Sequence, residues 1–110
     1  MKTTPLQTQT TSSSGIITSA GTLAAANSGR VSYKISNLGT NPLFVKEGTG
    51  ASTTVFDYIL AGGTGADNGT GASYDSGDMQ VYTGIITIAG TSPRAVIAER
   101  LEDSISNSLS

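Results

Sequence analysis

From Arg30 to Asn37 the chain alternates: Val31, Tyr33 and Ile35 fall on one face, Arg30, Ser32, Lys34 and Ser36 on the other. A period of two is that of a half-buried β-strand. No stretch of ten residues carries a convincing amphipathic helical pattern. Short runs rich in β-branched and aromatic residues recur instead between Gly, Asn and Pro, at Gly15–Ala20, Thr22–Ala26, Leu43–Lys46, Val55–Leu60, Met79–Tyr82, Gly84–Ala89 and Arg94–Leu101, with a short strand at Tyr74. Such punctuation predicts an all-β fold, a small β-sandwich or jelly roll of about seven short strands.

The stretch Asn37-Leu38-Gly39-Thr40-Asn41-Pro42 is made of turn formers, so Arg30–Asn37 and Leu43–Lys46 are expected to form a hairpin. The alternation and the aliphatic runs place Val31, Tyr33, Ile35, Phe56, Ile86 and Ile88 in the core. Residues 1–14 are almost wholly Thr, Ser and Gln, with Leu6 the one aliphatic side chain after Met1. So little apolar surface cannot offset its own ordering entropy, and the segment is expected to be a flexible arm. The domain then runs over 15–101, and 102–110 is a polar tail, although Leu101, Ile105 and Leu109 are spaced for a helical turn or two. A chain of 110 residues makes one domain with a thin core, for which oligomerisation or docking adds needed contacts.

Composition removes most chemistry. There is no Cys and no His, hence no disulfide, no thiolate nucleophile and neither of the commonest metal ligands. Solubility comes from hydroxyls, since Ser, Thr and Gly supply 45 of 110 residues while 13% are charged. Six scattered basic residues at a net charge of −2 do not suit nucleic acid. The longest apolar runs are too short to span a bilayer, and Met1–Pro5 lacks the apolar region of a signal peptide, so cytoplasmic synthesis is expected.

Candidate motifs have plainer explanations. Gly62-Gly63-Thr64-Gly65-Ala66-Asp67 matches the front of a calcium-binding nonapeptide, but Gly69 stands where a large aliphatic is needed, and the motif occurs once. Asp67, Asp75 and Asp78 share a glycine-rich segment without EF-hand spacing, because Ala72 and Asp78 occupy the places of its Gly and Glu. Asp57 with Glu99, or Asp75 with Asp78, would be the carboxylate pair of a histidine-free glycosidase, yet no motif supports either. Neither a Walker A loop nor GxGxxG is present, and Asn68-Gly69-Thr70 is a sequon without a secretory signal. No enzyme, cofactor or metal is expected.

The stretch from Ser28 to Val45, with an arginine opening an alternating strand, the turn NLGTNPL and a returning aromatic strand, resembles small virion structural proteins of tailed bacteriophages. The likeness continues through Ala51-Ser52, Phe56–Leu60 and Tyr82–Ile88, and ends at Pro93–Val96 with Glu99, about three quarters of the chain. It implies a capsid decoration or cement protein of the virion, a β-sandwich that binds the major capsid protein and has no catalytic residues. A homo-oligomer is expected, a trimer first and a dimer second, with neither nucleic acid nor membrane as partner. Leu6, Arg30, Tyr58, Tyr74, Tyr82 and Arg94 are the interface candidates. The alternative is a receptor- or carbohydrate-binding module of a phage fibre or spike, which would gather Tyr58, Tyr74 and Tyr82 on one open surface.

Overall fold

The computed structural model describes residues 9–77 and 81–102. Within them every regular element is a strand: β1 (Gln9–Ser13), β2 (Gly21–Ala24), β3 (Arg30–Asn37), β4 (Leu43–Glu47), β5 (Tyr58–Leu60), β6 (Ser73–Asp75), β7 (Ile86–Ala89) and β8 (Ala95–Glu102). They form two antiparallel four-stranded sheets, ordered β1-β8-β3-β6 and β2-β7-β4-β5. This is the strand order of an eight-stranded jelly roll, so the all-β expectation holds.

The core lies between the sheets. Tyr33, Ile35 and Ile97 from one sheet and Leu43, Val45, Ile86 and Ile88 from the other are buried. Of the six expected core residues, four are therefore inside. Val31 is half-buried, and Phe56 is 36% exposed.

Val31 is displaced by a β-bulge. Ser32 pairs with Arg100 but Arg30 pairs with Leu101, leaving Val31 as an extra residue. One inserted residue changes the facing of everything before it. Arg30, read as outward from strict alternation, consequently points into the sandwich.

The expected hairpin is also absent. β3 and β4 lie in different sheets, and the turn between them is an arch across the top of the core. Buried Asn37 holds that arch: its amide nitrogen donates to the carbonyls of Asn41, Leu60 and Ala61, and its Oδ1 accepts from Gly39 N–H. A polar side chain that turns inward at a strand end and binds four main-chain groups favours crossing to the facing sheet over returning beside the same strand.

Other boundaries move. β1 lies within the segment expected to be an arm, because main-chain pairing to β8 places no demand on side-chain hydrophobicity. The strand expected at Gly15–Ala20 reduces to a bridge between Ile17 and Ala95. Val81 and Tyr82 are irregular and pack on the core, while Met79 and Gln80 lie outside the described residues. Leu101 belongs to β8; Ile105 and Leu109 lie outside the described residues, as does Leu6.

Candidate functional site

Three of the four carboxylates first considered for catalysis have structural partners. Asp57 Oδ2 accepts from Glu47 N–H at 2.6 Å, and Glu99 is bound to Arg30. Asp75 Oδ1 caps Gly77 N–H, and Asp78 lies outside the described residues. Among the described residues no group of three or more acidic side chains is placed to hold a metal ion.

Arg30 is a core residue and not a seam residue. All five guanidinium N–H donors are used: Nε and Nη2 on Glu99 Oε2 at 2.7 and 2.6 Å, Nη1 on the carbonyls of Tyr82 and Gly84, and Nη2 also on Ala25 O at 2.8 Å. Its guanidinium lies 5.9 Å from the Tyr33 ring centroid. The bulge at Val31 thus brings in a cation that ties β3, β8 and the segments before β3 and β7 together, which leaves it with no donor for a partner.

Arg94 is half-exposed and forms a bidentate pair with Asp67, Nε to Oδ1 and Nη2 to Oδ2 both at 2.6 Å. Asp67 has φ of 60°, and its N–H donates to Leu38 O. The guanidinium hydrogen-bonded to it holds the Asp67 carboxyl below the usual carboxylate range, and the same contact raises Arg94. The glycine-rich segment that resembled a cation loop is therefore fastened to the arch by its aspartate.

Two of the three candidate tyrosines meet. β5 and β6 are edge strands on the same side of the sandwich, and the rings of Tyr58 and Tyr74 stack across that opening at 4.4 Å. Tyr33 backs them, its ring 5.8 Å from Tyr74 and its hydroxyl 3.2 Å from that of Tyr58, and it also hydrogen-bonds the Glu47 carboxylate. Burial, then the bond to Glu47, pushes the Tyr33 hydroxyl far up; burial raises Tyr58 too. Tyr82 does not join this stack; its ring lies against Gly84. The cluster closes the side of the sandwich and leaves Tyr74 36% exposed.

An exposed apolar patch was missed in the sequence. Loop 48–57 folds over the outer face of the β2-β7-β4-β5 sheet, held by buried Thr87, whose Oγ1 donates to Gly48 O and accepts from Ala51 N–H. This brings Phe56 against outward-facing Phe44, ring centroids 5.1 Å apart, with Ile59 as the cross-strand partner of Phe44. Val55, Phe56 and Ile59 remain 50%, 36% and 48% exposed. A signal existed: a three-residue strand that turns Tyr58 and Leu60 inward must turn Ile59 outward. The patch offers apolar contact area on a rigid sheet and no reactive group.

Comparison of the chain with protein-family models, with curated proteins and with solved structures finds no match.

Proposed function

We propose that this chain is a structural protein of a tailed-phage virion, a capsid decoration protein that stabilises the head by binding the lattice of the major capsid protein. The observation that carries the reading is the exposed patch of Phe56 and Ile59 against Phe44. Exposed apolar clusters on a small domain mark surfaces that are covered in use. Two further points support it. Asp57 and Glu99, one of the acidic pairs that would suit catalysis, are bound to structural partners, and the jelly roll is an architecture found in viral capsid domains. That last support is analogy, because lectins share the fold.

A carbohydrate-binding role would need aromatic faces open to a sugar ring. Tyr58 and Tyr74 cover each other, and Tyr82 is not with them. The observations therefore favour the decoration reading.

The test uses heads of the encoding phage prepared without this protein. Added wild-type chain should co-sediment with them and raise the temperature at which the genome escapes. Phe56→Ser and Ile59→Ser should each weaken binding about tenfold, equivalent to roughly 1.4 kcal/mol, with the fold intact. Absence of the chain from purified virions, or failure to bind such heads, would overturn the proposal.

A further inference from the structure

The four sheet edges are not alike. β5 and β6 are three residues each, and stacked tyrosines close the gap between them. β2 is broken by a bulge between Thr22 and Ala24. Among the described residues β1 has no such protection: its five residues run in unbroken register along β8, from Gln9 opposite Glu102 to Ser13 opposite Ala98. It contains neither charge nor proline, and Thr10–Ser13 are exposed. A flat, uncharged edge strand is a template for another strand.

The direction of its unused main-chain groups follows from the pairing. Ser14 N–H donates to Ile97 O, while Glu102, opposite Gln9, donates its N–H to Gly29 O on the far side of β8. Alternation along an antiparallel strand then aims the main-chain groups of Thr10 and Ser12 at β8, and those of Gln9, Thr11 and Ser13 at the open side.

We propose that this open side pairs with β1 of a second copy of the chain, antiparallel about a twofold axis through Thr11. In that register Thr11 faces Thr11 of the second copy, and Gln9 faces Ser13. Each residue with outward main-chain groups thus meets another of the same kind, and both exchange their hydrogen bonds. A register shifted by one residue would set outward groups against inward ones.

The charges allow it. Arg100, beside Thr11 on β8, would lie three strand spacings from its counterpart, about 14 Å, beyond the ~8 Å screening length of physiological salt. Glu99 is already neutralised by Arg30. The pairing favours the twofold arrangement over the trimer, and it does not rest on a virion role, since the free protein would show it.

The natural chain has no cysteine, so Thr11→Cys introduces a single reporter. Hydrogen-bonded antiparallel partners have Cα atoms about 5.5 Å apart, within disulfide reach. Under mild oxidation of the full chain, Thr11→Cys should form covalent dimers at least tenfold faster than Ser28→Cys, placed on an exposed turn. Adding Ser13→Pro removes an N–H aimed at the open side and spares the β8 ladder, so it should abolish the rate advantage without changing the melting temperature. Equal cross-linking rates for Thr11→Cys and Ser28→Cys would overturn the proposal. So would an advantage that survives Ser13→Pro.

Discussion

Arg30 Nε meets Glu99 Oε2 at 2.7 Å inside the sandwich, from a position that simple alternation assigns to the solvent face. The pair belongs to a guanidinium with every donor occupied, so its loss strands a buried charge. Glu99→Ala should cost about 3–5 kcal/mol, the range for breaking one partner of a buried pair. Arg30→Met, which replaces the cation with a side chain of similar length, leaves the Glu99 carboxylate and three main-chain carbonyls without their donors and should cost at least as much as Glu99→Ala. Urea denaturation of both variants would check the order.

Ile35 is fully buried whereas Phe56 stands on the outer face. Ile35→Ala should destabilise by about 2–5 kcal/mol. Phe56→Ala should shift the melting temperature far less, despite removing a larger side chain. Thermal unfolding of the two single variants tests the placement directly.

Two glycines near the arch differ sharply in what an added methyl would meet. At Gly71 it would collide with the main-chain carbonyl of Asn37, which belongs to the hub beneath the arch; at Gly69 it would meet open space, but φ is +80°. Gly71→Ala should therefore cost about 1–3 kcal/mol from overpacking. Gly69→Asn should be nearly neutral, since Asn tolerates that left-handed conformation. Denaturant midpoints would separate them.

The Asp67–Arg94 pair makes a pH prediction. Its folded carboxyl titrates below the unfolded value, so its contribution is present above the ordinary aspartate pKa of about 3.9. It disappears as pH falls through the depressed folded value. Protection of the amides across 62–71, measured against the intrinsic exchange rate at each pH, should fall on acidification below about pH 4. Asp67→Asn, which keeps the left-handed backbone, should show that reduced protection already at neutral pH.

At the alkaline end the sign reverses. Tyr33 and Tyr58 titrate above the unfolded value, so folding favours their neutral hydroxyls up to pH of about 10. Above it, stability falls with every further unit because only the unfolded chain releases those protons. Tyrosinate absorbance from these two residues should appear together with loss of β-structure, and Tyr33→Phe should remove part of the dependence.

The sequence showed the fold class and most of the core because those rest on period and side-chain type. β3, β4 and the aliphatic part of β7 were legible for that reason. β1 was not, since an edge strand of Thr and Ser looks like unstructured chain until the main chain of β8 is beside it. Arg30 was misread through a bulge of one residue, which pattern alone does not reveal. The arch was misread because turn formers specify a reversal without specifying which sheet receives the returning strand; Asn37 makes that choice through contacts to residues 60 and 61. The apolar patch depended on a loop folding back onto the outward Thr87 hydroxyl.

The position of β8 between β1 and β3 bears on how the chain acquires its structure. β1 is synthesised early and pairs only with β8, and β3 has β8 as its longest partner. A nascent chain holding the first seven strands would complete the β2-β7-β4-β5 sheet yet leave the other as two separated pieces. Closure must await residues 95–102 and then bridges a sequence separation of more than eighty residues at Ser13 and Ala98. Such distant pairings slow folding and prolong the life of open edges. The rate-limiting event should accordingly be arrival of β8, and a variant weakened there, such as Ile97→Ala, should fold more slowly as well as unfold more readily.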